Sequence, residues 1–214
     1  MRLALLILTL LPCVMASAKP VPTVYSTDIG GDIDDTWALV QVLRSPELDL
    51  KMVFTDAGIA TYRGKIAARI LEIAGRTDVD VALGADGSHE GPQAAWVKDY
   101  DLAAYPGTVH TDGPQAFIDF VRASVETVHV IAVGPCPSLA EALTRAPDIA
   151  RKCRFFGMYG SFDRGYGGRP TPDAETNVRS DVEALRTVLQ APWKSITLTP
   201  LDTCGVTSLS GDNY

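Results

Sequence analysis

The stretch "YSTDIGGDIDDTWAL", Tyr25 to Leu39, leads from a strand into a helix through a loop crowded with acids. Before it, "VPTVYST" is rich in β-branched residues and reads as a strand. After it, Ile33 to Arg44 carries Trp37, Leu39, Val40 and Leu43 at helical spacing. Between the two lie Asp28, Asp32, Asp34 and Asp35, with Gly30 and Gly31. Like charges repel, and carboxylates stripped of water are costly. Such a cluster needs either open solvent or a cation.

Outward from this unit the alternation continues. "LDLKMVFTDA", "VDVALGA", "VHVIAVG", "CRFFGMYG" and "SITLTPL" read as strands. "YRGKIAARILEIAG", "GPQAFIDFVRAS", "SLAEALTRA" and "DVEALRTVLQA" read as helices; Gly75 closes the first and Pro114 lies near the start of the second. This order predicts an α/β, Rossmann-like fold: a mainly parallel sheet with helices on both faces. Ala85 to Asp112 and Ser161 to Thr176 break the rhythm as long polar or glycine-rich loops.

The 214 residues suffice for one domain with a sizeable core. A formal net charge of −7 argues against a nucleic-acid partner, whose footprint would be basic. Met1-Arg2, the apolar run Leu3 to Met15 and Ala16-Ser17-Ala18 read as a secretory signal peptide cut near Ala18. The expectation is therefore a secreted or periplasmic protein without a stable membrane anchor. Cys136, Cys153 and Cys204 remain after cleavage, lack zinc-site spacing, and read as small buried core residues.

In open parallel sheets, ligands bind beyond the carboxyl ends of the strands. Asp28, Asp56, Gly134-Pro135, Gly160-Ser161 and Asp202 all fall at such ends. Three rival readings of the acid loop compete with a metal. Asp32 capping the helix, with Asp34 and Asp35 near its positive end, explains one or two acids but not four. A phosphate cradle at Gly30-Gly31 lacks the full glycine spacing and is lined by repelling charge. A phosphatase-type nucleophile at Asp28 would want a second aspartate where Gly30 stands. A hard divalent ion such as calcium, which takes several oxygen ligands, answers best.

Four stretches, in order, resemble the inosine-uridine-preferring nucleoside hydrolase family. "STDIGGDIDDTWAL" is similar to a longer variant of its amino-terminal signature, and "VIAVGPCPSLAEAL" to its strand, Gly-Pro turn and helix. "MYGSFDRGYGG" is similar to its glycine-rich turn, and "AETNVRSDVEA" to its acidic-Asn-Asp segment. The resemblance implies calcium-dependent hydrolysis of ribonucleosides to base and ribose, with a small-molecule nucleoside as partner. By match, Asp28 and Asp35 would bind Ca2+ through carboxylates and Val133 through its carbonyl. Asp34 would hold ribose hydroxyls, and Glu175 and Asn177 would do so from the opposite side. Asp28 would also take the proton of the attacking water. Asp32 stays open between a ligand, an acid behind the ligands and a helix cap.

The match has departures. Ser26 replaces a frequent aspartate, Ile59 an Asn or Asp, Pro137-Ser138 a Thr-Asn, and Thr176 an aromatic. No late His-Asp pair follows, so the expectation is a nucleoside-hydrolase-like domain over 19–214 lacking its carboxyl-terminal part. That, with Ile59, keeps a second reading alive: a non-catalytic nucleoside- or sugar-binding module. Trp96, Tyr100 and Tyr166 are candidates to stack on a base, with covering the core the equal alternative, and His89 is a candidate to meet one. His129 reads as a packed strand residue, and Arg164, Arg169 and Arg179 as solvated surface. Oligomeric state is left open, a homo-oligomer included.

Overall fold

The computed structural model describes residues 19–88 and 90–208. The expected signal peptide and His89 lie outside these residues. Seven strands form one sheet in the order β4-β3-β2-β1-β5-β6-β7, every pairing parallel. The strands are β1 Val21–Thr27, β2 Leu48–Thr55, β3 Asp80–Ala82, β4 Val109–His110, β5 Val128–Ala132, β6 Cys153–Gly157 and β7 Ser195–Leu198. The helices are α1 Asp34–Arg44, α2 Ala60–Ile73, α3 Gly113–Ala123, α4 Pro137–Arg145, α5 Thr176–Ser180 and α6 Val182–Gln190. The predicted Rossmann-like α/β architecture is the one observed.

Alternation along each strand feeds two cores. Val24, Phe54, Val130 and Phe155 pack with Phe117, Leu139 and Val188 of α3, α4 and α6. Tyr25, Val53 and Val81 pack with Leu39 of α1 and Ile66 and Leu71 of α2 on the other face. Beyond β5 that second face is lightly covered. His129 packs tilted against Phe156 with ring centroids 5.0 Å apart, while Arg154, Ser195 and Thr197 are exposed.

Helix ends follow local chemistry. Asp112 and Asp181 accept from Gln115 N and Ala184 N at the starts of α3 and α6. At the end of α2, Gly75 N bonds Glu72 O and Arg76 N bonds Leu71 O, closing a Schellman motif around Gly75 at φ +68°. No atom lies within 4 Å of where a Gly75 Cβ would stand, so only the backbone resists a side chain there. Gly75→Ala is expected to cost about 1 kcal/mol and lower Tm by about 2–4 °C, read by thermal denaturation.

Two elements escape the sequence reading. β4 is two residues inside the Ala85–Asp112 stretch, and α5 is five residues long. Asp202 does not end a strand; it sits in the turn after β7, where its carboxylate accepts from Phe162 N, Asp163 N and Arg164 N. Those three bonds hold its carboxyl below the usual range and fix the glycine-rich loop.

Candidate active site

The strand order reverses at β1. Its two neighbours, β2 and β5, lead to opposite edges of the sheet, which opens a crevice at the carboxyl ends of β1 and β5. A cavity of about 420 Å³ lies there. Every residue assigned to the site from the sequence lines it: Asp28, Asp32, Asp34, Asp35, Val133, Glu175 and Asn177.

Asp28 leaves β1 directly into the crevice. A Cβ on Gly134 would lie 2.3 Å from its Oδ1 and 2.7 Å from its backbone N, so glycine there lets the end of β5 close on the acid. Asp35 occupies the first turn of α1, where the helix dipole favours negative charge. Thr27 Oγ1 donates to its Oδ1 at 2.5 Å, and Tyr25 OH donates to its carbonyl at 2.8 Å. Burial, then the charge of Asp28, pushes the Asp35 carboxyl up to about 8. Burial raises that of Asp28 too, with Arg63 opposing it from 3.9 Å.

Asp32 and Asp34 are exposed on the cavity rim. The capping reading of Asp32 fails: Ile33 holds the N-cap position of α1, with no side-chain hydrogen bond to the helix.

The opposite wall is stitched by Glu175 and Asn177. Glu175, 3% exposed, accepts from Asn177 N at 2.7 Å, Val178 N at 3.1 Å and Gly160 N at 3.2 Å. Asn177 Nδ2 donates to Val133 O at 2.8 Å and Met158 O at 3.1 Å. These bonds fasten α5 to the ends of β5 and β6.

The donor set suits a hard cation. Asp28, Asp32, Asp34, Asp35 and the Val133 carbonyl offer oxygens; the Asp35 carboxylate is buried and that of Asp28 half-buried, with Arg63 3.9 Å from Asp28. The Val133 carbonyl keeps a second lone pair beside its bond to Asn177. The set is short, however. Among the described residues no three His, Cys, Asp or Glu side chains group closely enough to hold an ion by themselves.

The sequence profile described as inosine-uridine preferring nucleoside hydrolase matches residues 23–213. The chain belongs to this family. The pyrimidine-specific ribonucleoside hydrolase RihA of Enterobacter sp. (strain 638) is 32% identical over 189 residues, 79% of this chain and 56% of the relative. The non-specific ribonucleoside hydrolase RihC of Klebsiella pneumoniae subsp. pneumoniae is 31% identical over 183 residues, covering 79% and 58%. The inosine-uridine preferring nucleoside hydrolase of Bacillus anthracis superposes with a TM-score of 0.71 at 23% identity, over 89% of this chain and 68% of that one. That likeness is one of fold. The chain thus spans a little over half the length of the curated nucleoside hydrolases it matches.

Other sequence candidates sort clearly around this cavity. Tyr166 lines the cavity, and its OH meets Thr176 Oγ1 at 2.8 Å. Trp96 and Tyr100 do not reach it. They sit over the outer side of α2, where Arg69 donates to Trp96 O and Tyr100 OH donates to Glu72. Cys136 and Cys153 are buried as expected, but Cys204 lines the cavity, and all three thiols are free. His129 packs in β5, and Arg164, Arg169 and Arg179 are exposed, as expected.

Tyr62, Arg63 and Gln93 behind the site went unread in the sequence, while Asp56, expected at a strand end on this rim, is a structural tie. Asp56, 2% exposed, ties β2 to α4 by accepting from Ser138 N at 3.0 Å and Ser138 Oγ at 2.6 Å. Tyr62, Arg63 and Gln93 are buried against the acid loop. A signal for Arg63 was present: a charge on the buried stripe of α2, one turn before Ala67 and two before Leu71.

Proposed function

We propose that the protein hydrolyses the N-glycosidic bond of ribonucleosides to free base and ribose in a calcium-dependent reaction. The observation that carries this reading is convergence. Acids from the β1–α1 loop meet Val133 after β5, and Glu175 and Asn177 before α6, around one cavity at the switch point of the sheet.

In the reaction, the C1′–N bond breaks with its electron pair leaving on the base, which takes up a proton. Water oxygen bonds C1′ and gives one proton to a carboxylate. Asp28 is assigned that proton, because it leaves β1 directly into the cavity. Positive charge on the ribosyl group grows along the way, and the surrounding acids stabilise it. Asp34 accepts from ribose hydroxyls on one side. On the other, Glu175 has three of its roughly four acceptor positions filled by backbone N–H groups, which leaves one for a hydroxyl. Asn177 has its amide nitrogen committed and offers its oxygen. Calcium held by Asp28, Asp35 and the Val133 carbonyl, with Asp32 at the rim, would orient and acidify the water and grip the sugar diol. We also place the protein outside the cytoplasm, secreted or periplasmic, on the strength of its amino-terminal sequence.

Purified protein incubated with inosine or uridine and Ca2+ is expected to release reducing sugar, and to lose that activity in chelator. No release from either nucleoside, with ribose or nucleoside still bound in calorimetry, would favour the non-catalytic binding module. One observation speaks for that second reading. Ile59, where the resemblance leads one to expect an amide or acid, packs its apolar side chain on the core instead.

A further inference from the structure

Four consecutive carbonyls of the acid loop are gripped from behind. Arg63 Nη1 donates to Ile29 O at 2.9 Å, and Tyr62 OH to Gly30 O at 2.8 Å. Gln93 Nε2 reaches Gly31 O and Asp32 O, each at 3.4 Å. The Gln93 oxygen accepts from Thr36 Oγ1 at 3.1 Å, which ties the same side chain to the first turn of α1. All three donors are at least nine-tenths buried, and none lines the acid cavity.

The backbone is cut to admit them. Gly30 sits at φ +97°, and a Cβ there would strike Ile66 Cδ1 at 2.6 Å and Tyr62 at 2.9 Å. A Cβ on Gly91 would lie 1.7 Å from Gly30 O. Gly58, at φ +98°, leaves the space that Arg63 fills, with Nη2 2.7 Å from where its Cβ would be. One segment of the long Ala85–Asp112 stretch thereby supports the loop directly, since it brings Gly91 and Gln93 against it. Arg63 adds a cation 3.9 Å behind Asp28.

We propose that Tyr62, Arg63 and Gln93 form a clamp that sets the acid loop, residues 28–33, in its binding shape before any ion or sugar arrives. They are positioning residues. A loop bearing four carboxylates would otherwise splay, and ordering it would weaken each binding event. The clamp moves that cost into folding. Its link to calcium rests on the function proposed above; its link to loop order does not.

Two measurements on the full chain test it. In calcium-free wild-type protein, backbone amides of 28–36 are expected to resist hydrogen exchange. Tyr62→Phe, which removes one oxygen, and Gln93→Met, which keeps the length, are each expected to speed exchange within 28–36 alone. Titrated with CaCl2 in a calorimeter, both should bind calcium about 10-fold or more weakly, the size of loss that removing a support behind a metal site commonly brings. Arg63→Lys should recover part of what Arg63→Met loses, and Tyr100→Phe, on the outer side of α2, should change nothing. Wild-type amides that exchange freely until calcium is added would overturn the clamp. So would variants with unchanged exchange. If wild type binds no calcium at all, the hydrolase reading fails, and the exchange pattern still decides the clamp. Should Gln93→Met unfold, Tyr62→Phe alone carries the comparison.

Discussion

Asp28→Asn is expected to lower kcat/KM for a ribonucleoside by about 10³-fold, while raising the melting temperature of the calcium-free protein. The two effects come from one carboxylate. In the proposed reaction Asp28 takes a proton from water and contributes to the metal site, and an amide does neither well. In calcium-free protein the half-buried Asp28 lies beside the buried Asp35, and loss of solvent disfavours the charged form of both. Removing one charge leaves Asp35 with its Thr27 hydroxyl bond and without its nearest repulsion. Steady-state kinetics with calcium and scanning calorimetry in EDTA give the pair of numbers. A variant that loses both activity and stability would make Asp28 a structural residue. One that keeps full activity would move the base elsewhere.

Asp56→Ala is expected to cost about 3 kcal/mol, because it strips acceptors from buried donors rather than merely deleting a contact. Ser138 N, Ser138 Oγ and Ala57 N all give to this carboxylate. Ser138 Oγ in turn accepts from Ala85 N at 2.6 Å, so β2, α4 and the start of the long loop loosen together. For a chain of this size the loss corresponds to a Tm lower by about 6–12 °C. Asp56→Asn, which keeps one acceptor oxygen, should lose less. Acidity adds a second signature. Burial pushes the Asp56 carboxyl up to about 7, while in the unfolded chain it titrates near about 3.9. The native state therefore holds this proton more tightly. The stability tied to it is complete below about pH 4 and is lost as pH rises through about 7. Urea denaturation between pH 5 and pH 8 should show that slope in wild type and a flatter one in Asp56→Asn.

The sheet was legible because its strands are local in sequence. Runs such as Val21–Thr27 and Val128–Ala132 are β-branched and bounded by turn residues, and helices between them such as α3 carry their own caps. β4 was not legible, since two residues make no pattern and owe their extension to pairing with β3. The acid loop announced itself by crowding. Its supports did not, because Gln93 reaches back 61 positions to Asp32 and Arg63 reaches back 34 to Ile29. Asn177 was read as a sugar contact, but its nitrogen also bonds the carbonyl of Val133, a link no spacing reveals. Trp96 and Tyr100 read equally well as base-stacking or as covering residues, because an aromatic in a long loop serves either; the structure places both on the flank of α2.

Each half of the chain builds one side of the crevice. One wall is complete by Asp35, yet the facing wall waits for Val133, Glu175 and Asn177, and the two meet only when Thr23 pairs with His129. So distant a pairing is rewarded late in folding. A nascent chain therefore possesses its aspartates long before it possesses a pocket, and the cavity closes only at the moment the two halves of the sheet join.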